Sequence, residues 1–389
     1  MSSSGQMVKL LFNTIKLTLN RNYKRRLSSI QLCSKMSTNT TLTEYKSEMK
    51  SFEGIYPTII DAVCKNFGLQ QNPSVAVWMK KILDYNLHGG KKARGLTTIL
   101  AYETLEKQDN ISVESLEIVR ALGWCVEMLQ AYSLIMDDIM DGSTTRRGVP
   151  CWYRLPEVGM GAINDCNLVQ SAMYEVIRVY CEKLPTYKEI VHLFNETLFY
   201  ASIGQHLDFT MAHRNKDDFS LFTPERYAAI VKFKTGYYTF KLPIFLGMLV
   251  ANNMNSDTYK RAETICLDLG YLFQMQDDFL DCFSSEQVTG KAGTDIQEGK
   301  CSWLAIEALK RFTTPQLEVF IDCYGSHDPA KVKRVKQLYE ELQLRDVYQS
   351  EERQRYNAII KMAEELPSDA GALPELFKKL LALTYDRKK

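Results

Sequence analysis

From Leu42 onward, apolar residues recur at intervals of three and four. The pattern is clearest over Ile118–Met136, Leu168–Glu182, Arg226–Asn252, Asp257–Asp278 and Lys331–Leu342, and it predicts helices there. Strand-type alternation bounded by turn residues is nearly absent. The pattern breaks at His88-Gly89-Gly90, Gly142–Pro150, Lys183-Leu184-Pro185, His213–Asp218 and Ser284–Gly293. None of these breaks is long enough to be an interdomain linker, and no repeat of fixed period is present. The expectation is a single all-α domain over 41–389, with about ten or more helices turning their apolar faces into one core. The longest apolar run, Leu242–Ala251, falls well short of the ~18–20 residues of a membrane span.

Composition agrees with this picture. The chain has 389 residues, 45% hydrophobic and 24% charged, which is the balance of a folded globular protein. Its formal charge of +1 conceals a partition. Residues 1–43 hold seven bases (Lys9, Lys16, Arg21, Lys24, Arg25, Arg26, Lys35) and no acid, so the remainder is net acidic. An acidic body argues against a nucleic-acid partner. The acid-free segment 1–40, with its Ser, Thr and Leu and its bases spread along Lys9–Leu19, has the make-up of a mitochondrial transit peptide. Translation from Met36 would remove it and leave a cytoplasmic protein. Ten scattered cysteines with no Cys-x-x-Cys pair read as reduced thiols. The five histidines show no metal-ligand spacing, which argues against zinc.

The chemistry concentrates in two acidic clusters. Asp137-Asp138-Ile-Met-Asp141 and Asp277-Asp278-Phe-Leu-Asp281 each end an apolar helical stretch. In each, the first and last Asp are four apart and share one helix face. Like charges at that spacing repel unless a cation lies between them. Carboxylates in that arrangement suit Mg²⁺, which takes one or two of them plus water and substrate phosphates. Bases lie close by in sequence. Gly89-Gly90-Lys91-Lys92-Ala93-Arg94-Gly95 joins a flexible backbone to three cations, Arg146-Arg147 follows the first cluster, and Lys291 and Lys300 follow the second. Lys234-Thr235 sits inside an otherwise apolar, aromatic helix. Such bases beside paired carboxylates suggest a site for several phosphates and several metals together.

This ordered set resembles the trans-isoprenyl diphosphate synthases, and among them the farnesyl diphosphate synthases of eukaryotes. The motifs carrying the resemblance are Gly-Gly-Lys-x-x-Arg-Gly, Val126-Glu127-x-Leu129-Gln130, Asp-Asp-Ile-Met-Asp with Arg146-Arg147, and Cys151-Trp152-Tyr153. Gly204-Gln205-x-Leu207-Asp208, Lys234-Thr235, Phe273-Gln274-x-Gln276-Asp277-Asp278-x-x-Asp281 and Lys300-Cys301-Ser302-Trp303 complete it. It spans roughly residues 50 to 389 and implies a large helical bundle around a central active-site cavity. It also implies head-to-tail condensation of isopentenyl diphosphate with dimethylallyl and geranyl diphosphates, and a homodimer. Asp137, Asp141 and Asp277 would hold Mg²⁺, three ions per site with Mn²⁺ or Co²⁺ as substitutes, and Asp138 and Asp281 would support them. Arg146, Lys234, Thr235, Gln274, Lys291 and Lys300 match positions that contact the allylic diphosphate. Lys91, Arg94, Gln130 and Arg147 match those that hold isopentenyl diphosphate. The aromatic helix around Tyr237, Tyr238 and Phe240 would help keep water from a carbocation.

Tyr132 and Ser133 depart from the resembled pattern, in which both are bulky. They stand on the helix ~6–7.5 Å from Asp137, at the floor of the implied chain pocket. Tyr132 keeps one stopper and Ser133 removes the other, so the product could be farnesyl, geranylgeranyl or geranyl diphosphate. Lys92-Ala93 and Asp386 also differ from the usual residues. A terpene synthase on the same fold would need no isopentenyl diphosphate site. A non-catalytic partner subunit would be expected to lose metal ligands, and the sequence keeps both sets.

Overall fold

The computed structural model describes residues 47–213, 218–252, 256–284 and 293–385. The basic segment, Lys291 and Asp386 lie outside them. In chain order the helices are α1 (47–54), α2 (Tyr56–Cys64), α3 (Phe67–Gln70), α4 (Pro73–Leu87), α5 (Ala93–Leu105), α6 (Val113–Met140), α7 (Ala162–Cys181), α8 (Tyr187–His213), α9 (Pro224–Val231), α10 (Leu242–Val250), α11 (Ser256–Phe283), α12 (Trp303–Leu309), α13 (Thr314–Cys323), α14 (Pro329–Glu341), α15 (Leu344–Glu364) and α16 (Leu373–Tyr385). The all-α expectation holds, and the buried apolar residues form one continuous cluster.

The long helix α6 is the axis of the fold. Ser112 starts it: its hydroxyl accepts from Ser115 N–H while the Ser115 hydroxyl accepts from Ser112 N–H, a reciprocal cap at a terminus that would otherwise leave donors unpaired. From Ala121 to Leu129 it is buried on every side, against α5, α7 and α10. By length and composition α6 could cross a membrane, but 67% of its most apolar stretch is buried inside the protein, as befits a core helix. Its far end delivers Asp137, Asp138 and Asp141.

Two local features differ from the simple helical expectation. The helix predicted over Arg226–Asn252 is a continuous rod in three parts: α9, a π-helical segment Lys232–Lys241, and α10. Pro243 sits just inside α10. It cannot donate a backbone hydrogen bond, and its ring crowds the preceding turn. The wider turn before it, with Leu242 N–H donating to Tyr237 C=O five residues back, relieves that crowding. The predicted break Gly142–Pro150 contains a minimal hairpin, β1 (Thr145–Arg146) antiparallel to β2 (Val149–Pro150). Its two loop residues, Arg147 and Gly148, both have positive φ, the mirror-image turn that suits a two-residue hairpin. The nine described cysteines are free thiols, as expected.

Candidate active site

The helix ends converge on one patch of alternating charge. Lys234, on the π-helical segment, donates to Asp137 at 3.0 Å and to Asp208 of α8 at 2.6 Å. Lys300, in the segment before α12, donates to the same Asp208 oxygen at 3.0 Å and to Asp141 at 3.2 Å. Gln205 adds a 3.0 Å hydrogen bond to Asp137. Arg146 is folded back by the hairpin and donates to Asp138 at 2.5 Å, with Asp137 at 3.5 Å. Burial pushes the Asp208 carboxyl up, but Lys234 and Lys300 outweigh burial and hold it well below the usual range. The same two lysines depress Asp137 against its burial. Asp141 goes the other way, raised by burial and by the neighbouring Asp137 although Lys300 opposes them. Both lysines, despite burial, are held above their ordinary values by these carboxylates.

This geometry depends on a close helix crossing. A Cβ at Gly204 would lie 2.1 Å from the Lys234 backbone nitrogen and 2.5 Å from its Cα, so only glycine lets α8 touch the π-helical segment there. The wider turn and the glycine together bring Asp208 to Lys234.

The second acidic cluster divides its labour. Asp278 is buried and accepts from Tyr227 O–H (2.9 Å), Trp303 N–H (2.8 Å) and Gln274 Nε2 (2.9 Å). Burial raises it to about 7 although these donors oppose the rise. It therefore ties α9, α11 and α12 together. Asp281 accepts from Thr294 N–H at 3.2 Å and Asp295 N–H at 3.1 Å, shaping the segment that carries Lys300. Gln274 also accepts from the Thr235 hydroxyl at 2.9 Å.

Carboxylate oxygens, hard and anionic, fit a divalent cation. Asp141 Oδ1 is buried with no hydrogen-bond partner, an acceptor available to one. Among the described residues no three such side chains converge tightly enough to enclose an ion alone.

The basic loop forms the adjoining wall. Arg94, at the start of α5, donates to Thr239 Oγ1 (3.0 Å) and to Tyr238 O–H (3.1 Å), with its guanidinium 4.6 Å from the Tyr238 ring centre. Arg147 donates to the carbonyls of His88 (3.0 Å) and Asn86 (3.3 Å). Lys91 is exposed. Glu127 of α6 accepts from Gly95 N–H at 2.9 Å, and Gln130 stands three residues further along the same face. Arg94 and Arg147 are thus anchored to neighbouring backbone and side chains, while Lys91 stays on the surface of the same loop.

Below the charged patch runs a cavity of about 340 Å³. Asp137, Lys234, Thr235 and Gln274 line it with Tyr132, Ser133, Met136 and Met140. The Ser133 hydroxyl is engaged by its own helix, donating to Leu129 C=O at 3.0 Å, so it presents little unsatisfied polarity. Of the three aromatics expected around the pocket, Tyr238 lines it. Tyr237 is buried against Tyr200 and Phe233, and Phe240 against Phe273. Tyr238 thereby touches both the cavity and Arg94. The sequence reading assigned no role to Asp208 or Gln205. Their signal was present, a Gly-Gln-x-Leu-Asp run placing two polar groups on an apolar helix.

The polyprenyl synthetase family model matches residues 76–342. The farnesyl pyrophosphate synthase of Murgantia histrionica is 40% identical over 346 residues, covering 88% of this chain and 83% of that protein. That of Homo sapiens is 39% identical over 361 residues, covering 92% and 86%. A solved structure of T. brucei farnesyl diphosphate synthase complexed with risedronate superposes with a TM-score of 0.80 at 34% identity, covering 88% of this chain and 99% of that one. The chain is a member of the polyprenyl synthetase family.

Proposed function

We propose that this protein is a farnesyl diphosphate synthase, condensing isopentenyl diphosphate head to tail with dimethylallyl and then geranyl diphosphate. The observation that carries the reading is the Asp137–Lys234–Asp208–Lys300–Asp141 chain, whose Asp137 and Lys234 line a cavity that Arg94 reaches through its hydrogen bond to Tyr238. The family works with divalent metal; here we take it to be Mg²⁺, three ions per site, held by Asp137, Asp141 and Asp277. When bound, the metal would neutralise diphosphate charge and promote its departure.

The chain's own residues do the rest. Lys234, Lys300 and Arg146 present cations to the leaving diphosphate, so the allylic C–O bond ionises and the electron pair goes to the leaving oxygen. Thr235 and Gln274 orient that group. Arg94, Arg147, Lys91 and Gln130 hold isopentenyl diphosphate so that its double bond attacks the allylic cation, forming the new C–C bond. The released diphosphate then takes the proton. The cavity would shelter the cation from water, which would capture it, and Tyr132 is among the side chains that line it. We infer a homodimer, delivered to mitochondria with the N-terminal segment and cytoplasmic without it.

Protein beginning near Met36, given isopentenyl and dimethylallyl diphosphates with Mg²⁺, should release diphosphate and form a C15 product. Chelator should abolish this and Mg²⁺ restore it. Diphosphate release from geranyl diphosphate alone, yielding a hydrocarbon, would replace this reading with a terpene synthase. A dominant C20 product would mean that Ser133 decides chain length.

A further inference from the structure

Lys92 is out of place by every local rule. It is the N-cap of α5, where Ser, Thr, Asp or Asn would satisfy the free backbone donors, and it provides no such cap. Its φ is +50°, a left-handed conformation that costs a non-glycine residue about 1 kcal/mol or more. A cation also opposes the positive end of the α5 dipole. Its side chain compensates for none of this at α5.

Instead it turns inward. Lys92 is 5% exposed, and its ammonium donates to the carbonyls of Leu87 and of Gly89, the latter at 2.6 Å. It lies 5.4 Å from the centre of the Trp124 ring, on which Phe52 also stacks at 4.7 Å. Leu87 is the last residue of α4, so the charge sits where that helix presents its negative end. Arg147 takes the other two carbonyls of the same turn, those of Asn86 and His88. Four successive carbonyls are thus held by two cations in alternation. Gly89 and Gly90, both at positive φ, supply no rigidity of their own.

We propose that Lys92 is a positioning residue for isopentenyl diphosphate, fixing the Asn86–Lys91 turn so that Arg147 and Lys91 can turn to the substrate without the turn collapsing. The proposal rests on the reading of Lys91, Arg94 and Arg147 as the isopentenyl diphosphate site. When Arg147 leaves its two carbonyls for a diphosphate, Lys92 alone keeps the turn in shape. This contact is charge-assisted, so it weakens when the ammonium loses its proton. The charged groups facing it are Glu127 from α6, Glu53 from α1 and Arg147 from the hairpin; burial dominates them and lowers Lys92 to about 8.

The test is steady-state kinetics of the whole protein from pH 7 to 9.5, varying each substrate separately. KM for isopentenyl diphosphate should rise above pH 8, approaching about tenfold per pH unit, while kcat and KM for the allylic diphosphate stay level. Lys92→Met should raise KM for isopentenyl diphosphate about tenfold or more at pH 7 and leave it flat with pH. Lys92→Arg, which keeps its charge, should hold the low KM through pH 9.5. A wild-type KM that is flat over this range overturns the proposal without any variant. So does a folded Lys92→Met protein, judged by its melting curve, with wild-type KM and pH response. Absence of any turnover with isopentenyl diphosphate in the wild type is a different failure, that of the functional reading itself.

Discussion

Gly204→Ala adds one methyl group and tests whether the α8 crossing sets the active-site geometry. The added carbon would lie 2.1 Å from the Lys234 nitrogen, and ordinary contact begins near 3.4 Å, so the two backbones must part by about 1.3 Å. The obstructing atoms are main chain and cannot swing aside as a side chain would. Asp208 and Gln205 ride on one backbone, Lys234 and Thr235 on the other. Separation by that amount stretches the 2.6 Å Lys234–Asp208 bond beyond hydrogen-bonding range. Overpacking of this kind costs roughly 1–3 kcal/mol of stability, and a displacement of about 1 Å in a catalytic constellation costs on the order of 10²-fold in rate. Diphosphate release under saturating substrates measures the rate, and a thermal melt measures the stability. Gly161→Ala is the control, since a Cβ there meets nothing within 4 Å and its φ is negative; it should leave both readouts unchanged. Gly204→Ala protein with kcat within threefold of wild type and an unshifted melt would refute the claim that this crossing holds the site.

Asp208→Asn should lower kcat about 10²-fold, because Lys234 and Lys300 lose the carboxylate that aims both; single-turnover assays would show the loss in the chemical step. Tyr132→Ala should shift the product towards C20 by opening the cavity floor, read by chromatography of dephosphorylated products. Glu103, half-buried on α5 beside the Glu48–Arg120 pair, is raised from 4.5 to about 7 by loss of solvent and by Glu48, with Arg120 opposing. The folded protein therefore holds its proton more tightly than the unfolded chain, so its contribution to stability is full below pH 4.5 and is lost as pH rises through 7. Glu103→Gln should then stabilise the protein at pH 8 by on the order of 1–3 kcal/mol and leave it unchanged at pH 4, as denaturant midpoints at the two pH values would report.

Periodicity was enough for the helices because the core is continuous: a helix buried against neighbours must repeat its apolar face, and α6, α7, α11 and α14 do so where expected. The π-helical segment was not legible, since ten residues of five-residue bonding keep nearly the apolar rhythm of an α-helix. Yet Lys234-Thr235 stood out as a polar pair among aromatic residues, and the wider turn is what the structure adds to that anomaly. The paired Asp motifs showed where charge gathers but not how its members differ. Asp138 is paired with Arg146, Asp278 binds three elements together, and Asp281 shapes a loop, so the repeated spacing conceals unlike duties. Spacing reports which side chains share a face; partners brought from other helices decide what each does. That is why Asp208, solitary in sequence, is the residue on which both lysines converge. Its carboxylate joins two cations from separate elements into one charged surface, with Asp137 and Asp141 at the ends.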